Sequence, residues 1–92
     1  MPDSPTLDSK PAIAPGYRLQ WEPVQENHVL LYPEGMVQLN DTAAAILRFC
    51  DGHRSISSVV TDLENEYEAE DLRDDVIAFL QEAVERGWIR YG

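Results

Sequence analysis

This sequence reads as an α+β domain, a three-stranded antiparallel sheet followed by a three-helix bundle. Three features lead there. Between residues 17 and 39 apolar side chains recur at every second position, as in strands with one covered face. From residue 43 onward they recur at intervals of three and four, as along one side of a helix. The joints between these runs are short and carry turn or capping residues. Strands first and helices after, within 92 residues, make one sheet packed on one bundle the simplest solution.

Residues 1–16 stand apart. Pro2, Pro5, Pro11 and Pro15 remove backbone donors and push their neighbours towards extended conformations, and only Leu7 and Ile13 offer sizeable apolar surface. This block is expected to be a Pro-rich N-terminal arm, disordered or packed on a second copy of the chain, with residues 17–92 forming the folded domain. The second alternative would make an arm-mediated homodimer and the first a monomer.

Tyr17, Leu19 and Trp21 alternate with polar residues as a first strand, closed by Pro23 and a Gln25-Glu26-Asn27 turn. Val29–Tyr32 is a second strand rich in β-branched and aromatic residues. Pro33-Glu34-Gly35 is a tight turn, and Met36–Leu39 a short third strand. Asn40 or Asp41 caps the first helix, whose stripe is Ala43, Ile46, Leu47 and Cys50. Asp51-Gly52 ends it. Ser55 or Ser57 starts the second helix, with Ile56, Val59, Val60, Leu63 and Tyr67 inward. The third begins near Glu70 or Asp71, buries Leu72, Val76, Phe79, Leu80 and Ala83, and stops at Arg86-Gly87. Trp88–Tyr91 is a short apolar tail over the end of the bundle.

The second and third helices, joined by a brief turn, complete a winged-helix-like outline. That outline often serves nucleic acid, yet this chain carries 7 Lys+Arg against 17 Asp+Glu, a formal net charge of −10. Duplex binding needs basic side chains to displace counterions from phosphates. The third helix instead sets Arg73, Gln81 and Arg86 among Asp74, Asp75, Glu82 and Glu85. Nucleic acid is excluded as the expected partner. No apolar run approaches the ~20 residues that span a bilayer, and the N-terminus lacks a secretory pattern. With one cysteine, a disulfide-stapled secreted domain is not indicated either. The expected location is cytoplasmic.

Little in the chain suggests catalysis. Cys50 and His53 are three apart, but zinc would need about four ligands and only His28 remains. A nucleophile pair would lack an orienting group. Cys50 reads as a core residue. The many carboxylates read as solvated helix surface, and no phosphate loop or dinucleotide fingerprint is present. The expectation is a protein that is no enzyme and holds neither cofactor nor metal.

Two features suggest a ligand instead. In a meander the strand Met36–Leu39 lies at an edge, with unpaired backbone groups to which a peptide could add. The third helix is apolar over a wide arc, Ile77 and Val84 broadening its stripe. An edge strand beside an apolar helix flank would form a groove. Val37→Pro would weaken docking there if the Val37 N–H faces the open edge.

Val37-Gln38-Leu39-Asn40-Asp41-Thr42-Ala43, Ile46-Leu47, Cys50-Asp51-Gly52-His53-Arg54-Ser55-Ile56, Asp75–Leu80 and Gly87-Trp88-Ile89 follow one another in an order that resembles the PqqD family. That family comprises the peptide chaperones of pyrroloquinoline quinone biosynthesis, a prototype of RiPP recognition elements. The resemblance spans about residues 17–91. It implies a winged-helix-like domain that performs no chemistry. Such a domain holds the leader of the precursor peptide PqqA as an added strand and presents it to PqqE, a radical S-adenosylmethionine (SAM) enzyme. Carried over by position, Met36, Val37, Gln38 and Leu39 would pair with the leader. Arg73, Val76, Ile77 and Leu80 would line the opposite wall, with Arg73 either meeting an acidic leader residue or paired to Glu70 or Asp74. Asp51–Arg54 would be a structural turn. Two other readings stay open: a carrier of the quinone product or an intermediate, and an acidic winged helix acting as a transcriptional or DNA-mimic module.

Overall fold

The structure, a computed structural model, describes residues 6–91. Strands β2 (Arg18–Glu22), β3 (Asn27–Tyr32) and β4 (Gly35–Gln38) form an antiparallel sheet in the order β2-β3-β4. Leu30 on the central strand faces Leu19 on one side and Val37 on the other. These three share the sheet face that packs on the helices, where Leu30 is fully buried. The expected meander is therefore present, followed by helices α1 (Asp41–Arg48), α2 (Ile56–Tyr67) and α3 (Arg73–Glu85). No described helix is long and apolar enough to cross a membrane.

Side-chain capping decides where each helix starts. Of the two candidates at α1, Asn40 does the work: its side-chain oxygen accepts from the Ala43 N–H at 2.7 Å. Ser55 accepts likewise from the Ser58 N–H at 3.1 Å and starts α2. At α3 neither Glu70 nor Asp71 caps. Leu72 is the N-cap residue without a side-chain bond, and its N–H donates to the Glu64 carboxylate of α2 at 3.1 Å. A partner eight residues back is invisible to local capping rules. The helices bury Ala43, Ile46, Leu47, Ile56, Val59, Val60, Leu63, Val76, Leu80 and Ala83 around one core. Tyr67, expected inside, is 54 % exposed: it is the last residue of α2 and borders an open cleft instead of packing in the core. Cys50 lies beyond the end of α1 yet is buried, its thiol donating to the Ile46 carbonyl at 3.3 Å.

The arm departs most from expectation. Residues 11–13 form β1 (Pro11–Ile13), which pairs antiparallel with β5 (Ile89–Tyr91), so the apolar tail is itself a strand. The Ala14 N–H donates to the Trp88 carbonyl at 2.8 Å. Ahead of β1, the carbonyls of Leu7 and Ser9 accept from the Ser57 and Ile56 N–H groups at 3.1 and 2.9 Å. Those are donors that the first turn of any helix leaves unpaired. Residues 7–14 thus find partners within their own chain, which sequence periodicity could not show because the pairing joins the two ends. Residues 1–5 and 92 of the arm and tail lie outside the described residues.

The Asp51–Arg54 segment is the structural turn that locks this arrangement. Gly52 has φ +81°, and its N–H donates to the Pro11 carbonyl at 2.9 Å. Asp51 Oδ1 accepts from the N–H groups of His53 (2.9 Å) and Arg54 (3.1 Å). Those bonds, the His53 one foremost, and the nearby Arg54 guanidinium hold the Asp51 carboxyl below its ordinary range. With the folded value below the unfolded one, the carboxylate's contribution is complete above about pH 4 and fades as pH falls through the folded value. Asp51→Ala is expected to cost about 1 kcal/mol at neutral pH and to flatten acid destabilisation between about pH 5 and 2. Denaturant unfolding across that range checks it; an unchanged pH slope would contradict it.

Candidate functional site

β4 is the edge of its sheet, with β3 on one side and no strand of the described residues on the other. The register decides which of its backbone groups are available. The Leu39 N–H donates to the His28 carbonyl at 3.1 Å, so Leu39 and His28 face each other as a hydrogen-bonded pair. Antiparallel ladders alternate such pairs with non-bonded ones. Val37 opposite Leu30, and Gly35 opposite Tyr32, are then bonded inward, while Met36 and Gln38 turn their N–H and C=O groups to the open side. Val37→Pro would therefore break the ladder to β3 instead of the free edge, and the condition attached to that substitution is not met.

Side chains divide the same way. Val37 and Leu39 point to the helices, Leu39 being buried and Val37 half-buried. Met36 and Gln38 lie on the opposite face, Met36 exposed and the Gln38 amide donating to Gln25 Oε1 at 2.8 Å.

The α3 residues do not form one wall. Val76 and Leu80 are buried in the core, Ile77 is half-buried, and Arg73 is exposed with no ion pair among the described residues, whether to Glu70 or to Asp74. Val76 borders a cleft of about 260 Å³ shared with Asp41, Ile46, Leu63, Tyr67 and Asp75. Ile77 and Leu80 border a different cavity, of about 410 Å³, which they share with Leu7 of the arm, Ile56 and Tyr91. The first cleft is bordered at Asp41 and Thr42 by the start of α1, the element that follows β4 in the chain. Asp41 follows Gln38 by three residues, a span of at most ~11 Å.

Neither Tyr67 nor Asp41 entered the groove expected from sequence. The available signal was spacing: Asp41/Ala45 and Thr42/Ile46 on α1, Leu63/Tyr67 on α2 and Leu72/Val76 on α3 are each four apart, and all line this cleft. Cys50 offers no nucleophile. Burial, with the Asp51 charge adding to it, pushes its thiol pKa up to about 12, so it stays protonated at neutral pH. His28 packs edge-on to Trp21, ring centroids 5.1 Å apart. What the arrangement offers is backbone hydrogen bonding along an edge, and an apolar recess that begins at the helix following that edge.

Known proteins match this chain over most of its length. The family model described as "Coenzyme PQQ synthesis protein D (PqqD)" matches residues 27–89. A relative from Stutzerimonas stutzeri, named PqqA binding protein, is 52 % identical over 84 residues, covering 90 % of this chain and 91 % of the relative. One of the same name from Azotobacter vinelandii is 53 % identical over 85 residues, covering 91 % and 92 %. Among solved structures, the PqqD portion of PqqCD from Methylobacterium extorquens superposes with a TM-score of 0.76 at 29 % identity, covering 97 % of each chain. It is described as a functional, stand-alone RiPP recognition element.

Proposed function

The chain belongs to the PqqD family of coenzyme PQQ synthesis proteins, and from that membership we propose that it is a non-catalytic, cytoplasmic peptide chaperone. It binds the precursor peptide PqqA as a strand added to β4 and presents it to the radical SAM enzyme PqqE. The observation that carries this reading is the β4 edge, unpaired among the described residues, where Met36 and Gln38 offer two outward N–H and C=O pairs. The relatives named PqqA binding protein supply the identity of the peptide. On the helix side, Arg73 is open to solvent and Val76 borders the cleft between the helices, while Leu80 lies in the core.

A carrier for the acidic quinone is less well supported. Neither cavity bordered by α3 has a lysine or arginine in its lining to meet the quinone's carboxylates.

The test is a titration of the isotope-labelled chain with the PqqA peptide of the same genome, followed by amide shifts. Saturable shifts are expected along Met36–Leu39 and around Leu72–Val76. Absence of binding, or shifts confined to the β1–β5 ribbon, would overturn strand addition at β4.

A further inference from the structure

We infer that the cleft between α1, α2 and α3 is a subsite for one lysine or arginine side chain of the bound peptide, which makes the chain selective for a cation at one position. The inference rests on the peptide-binding reading above and deepens it. The floor of the cleft is aliphatic, formed by Ile46, Leu63 and Val76 with Ala45 and Leu72 beside them. Its border carries two carboxylates, Asp41 and Asp75, and the half-exposed ring of Tyr67.

Lysine and arginine combine an apolar stem with a charged head, and they settle where the stem meets hydrocarbon and the head meets water or an anion. An aromatic ring at the rim adds a surface that attracts cations. The recess, about 260 Å³, is several times the ~30 Å³ share of one water. That is room for a single long side chain. A purely apolar residue would fill the floor but gain nothing from the two carboxylates, which are exposed and stay solvated by water.

Asp41 and Asp75 each stand in the first turn of a helix, where a carboxylate complements the helix dipole. That local role accounts for an acid at each helix start. It does not account for both acids bordering the same apolar recess with no ion-pair partner among the described residues. The chain's net charge of −10 favours a cationic segment over an acidic one from the first encounter onward. Chain position agrees as well: Asp41 follows Gln38, the last residue of β4, by three residues, a span of at most ~11 Å.

The test measures the affinity of the full chain for the PqqA peptide by calorimetry, in a cycle of protein and peptide changes. On the protein side Asp41→Asn and Asp75→Asn are combined, with Glu85→Gln as a remote control of equal charge type. On the peptide side each lysine or arginine is replaced in turn by norleucine, which keeps the apolar stem and needs no change to the protein. The double aspartate variant is expected to lose about tenfold in affinity, and the control almost none. One norleucine peptide should lose as much with the unsubstituted chain and nothing further with the double variant.

Affinity within twofold of the unsubstituted chain for the double variant overturns the subsite. So does a loss that adds equally to every norleucine replacement, because a diffuse field would give that pattern. No binding of PqqA by the unsubstituted chain would overturn the peptide-binding reading itself, and the subsite with it.

Discussion

Gln38→Pro is expected to lower affinity for the PqqA peptide at least roughly tenfold while leaving the sheet intact. The Gln38 N–H points to the open side of β4, so proline there removes a donor that only an added strand would use. Proline is tolerated on edge strands for that reason, and the residue before it, Val37, is already extended. One lost hydrogen bond is worth about 1 kcal/mol net, and the pyrrolidine ring also obstructs the strand that would lie against it. Met36→Pro should behave in the same way.

Val37→Pro should not. It strikes the inward bond to Leu30 and leaves a buried carbonyl unpaired, a cost of about 1–3 kcal/mol in stability. Gln38→Ala is the control, since it removes the side chain and its bond to Gln25 but keeps the N–H. Calorimetric affinity and thermal midpoints of the four variants separate the cases. Gln38→Pro binding as tightly as Gln38→Ala would rule out β4 as the docking edge.

That distinction shows how much the sequence could disclose. Period-two and period-three-to-four patterns placed the meander strands and all three helices, because each element buries one face and its periodicity reports that face. Caps at Asn40 and Ser55 were readable, being local chemistry between residues three apart. The Glu64–Leu72 cap was not, and neither was the β1–β5 ribbon, since both join segments that no local pattern connects. For the site, the edge itself could be anticipated from strand order. Which of its N–H groups point outward depends on the pairing register, and only a contact such as Leu39 to His28 reveals that. The third helix misled for a related reason. Its apolar arc is wide because it meets two neighbours, the α1/α2 cleft through Val76 and the arm with β5 through Ile77 and Leu80.

This division of α3 yields the largest effect expected on stability. Leu80 is fully buried in the core, so Leu80→Ala should cost about 2–5 kcal/mol, the range for deleting a leucine from a packed interior. A domain of 92 residues has roughly 5–14 kcal/mol of stability in all. The midpoint should therefore fall by roughly 8–40 °C. Ile77, half-buried beside Leu7 of the arm, should cost only about 1–2 kcal/mol on truncation to alanine. It should also speed amide exchange at Ile56 and Ser57, whose N–H groups the arm's carbonyls accept. The contrast bears on function. A residue that supports the wall from behind alters affinity only through the folded fraction, whereas one that touches the peptide alters it in the fully folded chain. Measured well below its midpoint, Leu80→Ala should bind PqqA nearly as tightly as the unsubstituted protein. If its midpoint were unchanged while its affinity collapsed, Leu80 would be a contact surface, and its placement in the core would be wrong.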